Sequence, residues 1–352
     1  MLRAGLARYD NACGRVSLTT EDVRLKPPHA DRLMAVYTDI SDGELTRFMA
    51  EYDLGAVLSC KGIAEGVENS NFLIKTQQDS FFLTLYEKRV NPQDLPFFIG
   101  LMEHLAARGI PCPTPIPGRD GRALRRLCDR PAAVVSFLEG LSPHDILPVH
   151  CSGVGAALAR LHLAGADFAT VRRNDLSIAG WPKLIAATKA EADSVASGLA
   201  DELAREMAAL EAGWPVGLPA GICHADLFPD NVLFRDSEVS GVIDFYFACT
   251  DALAYDLAIC LNAWCFEPDF SWNPDKGRRL IGAYQAIRPL TPAECRALPV
   301  LARGGALRFL LTRLYDWLNR APGALVRPKD PREYLAKLRF HQAEGGVDLY
   351  GF

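Results

Sequence analysis

The run Ile222-Cys223-His224-Ala225-Asp226-Leu227-Phe228-Pro229-Asp230-Asn231 sets a histidine, a carboxylate and a carboxamide at H-x-D-x-x-x-x-N spacing. Asp244 follows thirteen residues after Asn231, in Gly241-Val242-Ile243-Asp244-Phe245. A carboxylate and an amide five residues apart on one loop can face the same point, and a hairpin after them returns Asp244 beside Asn231. Phosphoryl transfer needs this set: a carboxylate beside the attacking hydroxyl, and oxygen ligands that hold Mg2+ against the phosphates. Chance would place H-x-D-x-x-x-x-N in a chain of this composition about 0.01 times. A capping aspartate and a turn asparagine around an ordinary hairpin therefore account poorly for it. Asp226 is expected to be the catalytic base, with Asn231 and Asp244 as metal ligands. His224 is expected to fix the loop backbone rather than to carry protons.

The elements that must hold these residues are legible around them. Val232–Phe234 and Gly241–Phe245 read as two short strands flanking Asp236-Ser237 in a hairpin. Far upstream, Leu45, Phe48, Met49 and Tyr52 recur at helical spacing between Ser41 and Leu54, with Ser41 and Glu44 as a capping box. Val57–Cys60, Asn71–Thr76 and Ser80–Tyr86 then read as a meander of strands. A helix follows from Phe97 to Arg108, stopping at Gly109, and a further strand spans Ala132–Phe137. Beyond it the pattern is helical: Val149–Leu163, a long alanine-rich Lys183–Ala212, Ala252–Phe266, Gly277–Ala286, Thr291–Ala302 and Gly304–Asn319. The expected fold is α+β, with a small β-rich lobe over about 34–137, a larger helical lobe over 138–352, and a cleft between them. Residues 1–33 lack both the apolar run of a signal peptide and any helical periodicity, and are expected to be a disordered extension or an over-called start before Met34.

Composition excludes several classes. Among 352 residues, 38 basic side chains against 43 acidic ones give a net charge of −5, so nothing marks a nucleic-acid binder. No uncharged stretch is long enough to span a membrane. The 10 cysteines are scattered without a C-x-x-C pair, which fits reduced thiols in a cytoplasmic enzyme and supports no zinc ribbon. No two histidines stand at transition-metal spacing.

The catalytic segment resembles the aminoglycoside phosphotransferase and choline kinase superfamily. Gly155-Ala156-Ala157-Leu158-Ala159-Arg160-Leu161-His162, Asp251-Ala252-Leu253-Ala254-Tyr255-Asp256-Leu257-Ala258 and Gly109-Ile110-Pro111-Cys112-Pro113 are similar to further family segments. Within that superfamily, residues 34–352 are similar to the homoserine kinase family. The resemblance is carried by Met34–Thr38, Gly62–Phe72, Phe82–Arg89, Leu95–Phe98, Leu101–Leu105 and Ala306–Trp317. It implies a two-lobed protein-kinase-like fold with a small antiparallel-sheet N-lobe and a larger, mainly helical C-lobe. It implies ATP and Mg2+ as cofactors, and transfer of the γ-phosphate to the side-chain hydroxyl of L-homoserine, a step of threonine biosynthesis. It also implies that Asp256 supports the catalytic loop, that adenine meets the backbone at Val135, Phe137 and Leu138, and that Gly62, Gly66, Asn69 and Asn71 lie along the phosphates. One departure stands out: where such folds carry a lysine or arginine on the third strand and a glutamate on the next helix, this chain reads Thr84 and Phe98. Both partners are gone together, which avoids a lone charge in the cleft. Lys88 with Glu103 could substitute, although two surface charges explain them equally.

The acceptor site is read more loosely. A carboxylate calls for arginine and an ammonium for a carboxylate. Arg308, Arg313 and Asp316 lie on one late helix, Arg313 and Asp316 sharing a face, and a solvated helix pair is an equal account of those two. Trp264 and Tyr246 could wall the pocket, or serve as core. The rival readings are another small-molecule kinase, acting on an aminoglycoside, choline or a sugar, and a nucleotide-binding pseudokinase scaffold.

Overall fold

Ser41 opens the first helix, α1 (Asp42–Met49), with the reciprocal cap its sequence predicts: its hydroxyl accepts from the Glu44 N–H at 3.3 Å, and the Glu44 carboxylate accepts from the Ser41 N–H at 3.1 Å. The computed structural model describes residues 38–63, 69–87, 91–320, 328–343 and 346–351. The expectations for residues 1–33, Gly66 and Lys88 lie outside the described residues.

Strands β1 (Val57–Ile63), β2 (Ser70–Thr76) and β3 (Ser80–Leu85) form the expected meander. Helix α2 (Leu95–Ala107) follows, then β4 (Arg125–Leu127) and β5 (Arg130–Ser136). The antiparallel sheet runs in the order β1-β2-β3-β5-β4. Alternation gives it two faces. Phe72, Ile74, Phe81, Leu83 and Val134 pack onto Leu45, Phe48 and Met49 of α1. The opposite face carries two cross-strand rows, Ile63–Asn71–Thr84–Ala133 and Lys61–Leu73–Phe82–Val135. Ala133 and Val135 join a second apolar cluster with Phe97 and Phe98 of α2. This face is the roof of the cleft.

The helical lobe holds α3 (Pro148–Ala164), α4 (Trp181–Thr188), α5 (Leu199–Gly213), α6 (Leu253–Trp264), α7 (Pro274–Gln285), α8 (Pro292–Leu318) and α9 (Pro331–Ala343). Set among them are two short antiparallel pairs: β6 (Ala220–Cys223) with β9 (Cys249–Ala252), and β7 (Val232–Arg235) with β8 (Glu238–Val242). The first pair leads into and away from the segment that carries His224, Asp226, Asn231 and Asp244. Among the described residues, no helix is long and apolar enough to cross a membrane.

Two helical expectations are corrected. Lys183–Ala212 is not one helix: α4 ends at Thr188, a 3-10 turn spans Ala192–Ser194, and α5 restarts after Gly198, which takes φ +74°, with the Asp193 carboxylate accepting the Ala200 N–H at 2.9 Å. Conversely, Thr291–Ala302 and Gly304–Asn319 are one helix, α8, which continues through Pro299. Proline removes one helical hydrogen bond, but burial of Leu298, Leu301, Ala302 and Leu307 holds the axis together. The Gly304 that suggested a break is a packing device. A methyl group there would lie 2.4 Å from the Trp214 indole and 2.9 Å from that of Trp181. Gly304→Ala should therefore destabilise the fold by about 1–3 kcal/mol, although helix propensity alone favours alanine by about 1 kcal/mol. A denaturant midpoint at or above that of the wild type would show that the two indoles can move aside.

Candidate active site

Asp226, Asn231 and Asp244 converge by backbone geometry that begins at Ala225. This residue takes φ +62°, a conformation costly for a residue with a Cβ, and three hydrogen bonds from two side chains hold the turn there. Asp256, fully buried at the start of α6, accepts the His224 N–H at 2.6 Å and the Ala225 N–H at 2.8 Å. Arg308 of α8 donates from Nη1 to the Ala225 carbonyl at 2.5 Å. Asp256 is steadied in turn by His162, whose Nε2 donates to it at 3.1 Å while Nδ1 meets the Tyr284 hydroxyl at 2.7 Å. Burial alone would raise the Asp256 carboxyl, but the His162 hydrogen bond and the facing N–H groups keep it below the ordinary carboxylate range.

The buried His224 ring is used at both nitrogens. Nε2 donates to the Ile243 carbonyl at 3.0 Å, and Nδ1 accepts the Asp226 N–H at 3.3 Å. Burial holds its pKa below the usual histidine value, in keeping with a neutral ring. The ring thus ties the His224–Asn231 loop to the residue after β8, next to Asp244.

Asn231 sits at the mouth of the hairpin. Its Nδ2 donates to the Asp226 carbonyl at 2.8 Å and to Asp226 Oδ2 at 3.2 Å, which turns its Oδ1 away from the loop. The Asn231 carbonyl accepts the Ile243 N–H at 2.9 Å, and Val232 pairs with Val242 across the strands. Asp244 follows at φ +66°. The amide oxygen of Asn231 and the carboxylate of Asp244 are hard oxygen donors of the kind a magnesium ion takes. His162, Cys223 and Asp256 also bring ligand-type atoms within 4.8 Å of one another. There, however, the Asp256 oxygens are spent on the loop, and burial pushes the Cys223 thiol well above its ordinary value. This cluster is scaffold.

Other expected residues fall on the cleft roof. Gly62 is the penultimate residue of β1, and Asn69 and Asn71 flank the start of β2; the Asn69 side chain accepts the Glu87 N–H at 3.3 Å and Asn71 Oδ1 accepts the Thr84 hydroxyl at 2.9 Å. Val135 lies on β5, with Phe137 and Leu138 just beyond it, and the Phe137 ring stacks on Phe82 at 5.5 Å. At the departure from the kinase pattern, aromatic packing stands in for an ion pair. Phe98 meets Tyr246 edge-on at 5.8 Å, Tyr246 meets Tyr86 at 5.5 Å, and the two tyrosine hydroxyls are 3.4 Å apart. Glu103 is exposed on α2.

Arg313 and Arg308 part company. Arg313 pairs with Glu333 of α9 at 2.5 Å and lies over Tyr334 at 4.4 Å, whereas Arg308 reaches the catalytic loop. Asp316 is exposed. Trp264 is core, donating from Nε1 to the Leu227 carbonyl at 2.8 Å. Two contributors had escaped sequence reasoning. Lys61 shares the cleft-facing row with Phe82 and Val135, which the alternation of β1 would have disclosed had the strand been carried to Ile63. Arg172 joins Asp94, the N-cap residue of α2, at 2.8 Å to the Ala248 carbonyl at 3.1 Å, and no motif surrounds it.

A sheet-roofed cleft over a carboxylate loop and a second carboxylate at a hairpin end is the architecture of a phosphotransferase, and the model of the phosphotransferase enzyme family matches residues 59–290. An amicoumacin kinase, solved in complex with AMP-PNP, Ca2+ and Ami, shares the fold at a TM-score of 0.65 and 13% identity, over 88% of this chain and 95% of its own. The chain is 62% identical to a homoserine kinase of Rhodospirillum rubrum and 63% identical to one of Xanthobacter autotrophicus, each over 90% of this chain and 99% of the relative. It belongs to the phosphotransferase enzyme family and, within it, to the homoserine kinases.

Proposed function

We propose that Asp226 is the base of an ATP-dependent transfer to the side-chain hydroxyl of L-homoserine, giving O-phospho-L-homoserine. The observation that carries this reading is the bonding of Asn231 to Asp226 on one side and to the start of the Asp244 segment on the other. The hydroxyl oxygen forms a bond to the γ-phosphorus, the bond to the bridging oxygen of ADP breaks, and the hydroxyl proton passes to the Asp226 carboxylate. Asp226 acts chiefly by orienting the nucleophile, because a loosely bonded transition state demands little early proton removal. Asn231 Oδ1 and Asp244 would hold Mg2+, which when bound neutralises charge on the transferring phosphate. His224, Asp256 and Arg308 keep the loop in its left-handed turn. Gly62, Asn69 and Asn71 would lie along the phosphates, Lys61 offers a cation on the cleft-facing row, and the backbone around Phe137 and Leu138 would meet adenine.

ADP release with Mg2+, compared between L-homoserine, L-serine, choline and kanamycin, tests the reading. Turnover should require L-homoserine. Preference for another acceptor would retain the phosphotransfer site and overturn the substrate, and ATP binding without turnover of any of the four would favour a scaffold. Asp244→Asn should raise the Mg2+ concentration for half-maximal rate and lower the rate by about a hundredfold or more. An unchanged Mg2+ requirement would remove Asp244 from the metal site.

A further inference from the structure

A cavity of about 240 Å3 lies beside the catalytic loop and is lined by residues from four separate segments. Asp94 and Phe98 come from the start of α2, Arg172 and Asp175 from the loop after α3, Tyr246 from the segment after Asp244, and Arg308 from α8. Its position is fixed at both ends of the chemistry. Arg308 is bonded to the carbonyl of Ala225, the residue before Asp226, and Tyr246 stands two residues after Asp244.

The lining carries both signs of charge. Arg308 is only 1% exposed, and its buried Nε makes no well-formed hydrogen bond, the nearby Tyr255 hydroxyl included. Leaving a guanidinium N–H unmade in a buried place is costly, and a carboxylate is the partner whose geometry suits it. Facing it, Asp94 is shared with Arg172, while Asp175 is mostly exposed and only loosely approached by Arg172, at 3.6 Å. Phe98 and Tyr246 supply apolar wall between the charges. Size narrows the occupant further. A water claims about 30 Å3 of liquid volume, so the cavity has room for a molecule of amino-acid dimensions.

We propose that this cavity is the amino-acid recognition site for the phosphate acceptor, with Arg308 receiving the α-carboxylate and Asp175, together with Asp94, receiving the α-ammonium, so that the side-chain hydroxyl is carried to Asp226. The assignment rests on the homoserine reading above and names what that reading leaves open. Specificity then comes from paired charges at the amino-acid end of the acceptor. An acceptor lacking either charge leaves a buried group without its partner, and so is rejected more strongly than size alone would manage.

The test measures KM for L-homoserine together with inhibition constants, against homoserine phosphorylation, of 3-aminopropan-1-ol, which lacks the carboxylate, and 4-hydroxybutyrate, which lacks the ammonium. In Arg308→Lys the loop bond can be kept but the planar fork is lost. KM for homoserine should rise by about ten- to a hundredfold, while the inhibition constant of 3-aminopropan-1-ol moves little. Asp175→Asn, at an exposed position that carries little of the fold, should raise KM for homoserine while sparing 4-hydroxybutyrate. Equal shifts for substrate and both analogues in Arg308→Lys, or no shift in Asp175→Asn, would overturn the assignment, since a residue that merely supports the loop affects all ligands alike. Wild-type protein that shows no homoserine-dependent ADP release overturns the substrate reading itself, a result separable from either variant's behaviour.

Discussion

Asp226→Asn should lower kcat by about a thousandfold, within the 10²–10⁴ range that a positioned base contributes, while KM for ATP changes little. The substitution keeps the size of the side chain and the Asn231 contact to the Asp226 backbone carbonyl. It removes only the charge that orients and accepts the hydroxyl proton. A loss confined to the step made in the transition state lowers kcat and kcat/KM together. Steady-state kinetics with ATP and homoserine each varied, alongside AMP-PNP binding, separates this from a damaged nucleotide site. Activity within a few-fold of the wild type would remove Asp226 from the mechanism.

The second large effect concerns a residue that touches no reacting atom. Asp256→Asn places an amide among three donors, the N–H groups of His224 and Ala225 and Nε2 of His162. The carboxylate satisfied all three; an amide oxygen satisfies them poorly, and its NH2 group faces a donor. Breaking a buried charged network of this kind costs about 3–5 kcal/mol, read as a fall in the denaturant midpoint. Because Asp256 holds its folded pKa below the unfolded value, its contribution is fully present above about pH 4, the unfolded carboxyl range. That contribution is lost as the pH falls through the depressed folded value. The acid limb of stability should therefore be shallower in Asp256→Asn than in the wild type. Parallel acid limbs would show that other groups carry the acid sensitivity.

The candidate site was readable because its information is local. His224, Asp226 and Asn231 lie within eight consecutive residues and the hairpin returns Asp244 after a short excursion, so spacing alone brings them together. The first helix was equally plain, since Ser41 and Glu44 cap it within four residues. What escaped notice depends on distant partners. β6 and β9 are four residues each, 25 residues apart, and only their pairing makes them strands. The α8 continuity was hidden because Pro299 and Gly304 are breakers by local rules, whereas the neighbouring indoles require a glycine there. Arg172 and Asp94 stand 78 positions apart, and no sequence pattern links them.

The aromatic contact of Phe98, Tyr246 and Tyr86 has a consequence for how the enzyme responds to its medium. An ion pair in that place would be screened as ionic strength rises, and closure of the roof over the catalytic segment would loosen with it. Ring-on-ring packing has no such sensitivity. Salts excluded from protein surface strengthen it, while cooling weakens it through the fading of apolar association. The rings thus give the junction between roof and floor a dependence on temperature that the neighbouring ion pair of Arg172 with Asp94 does not supply.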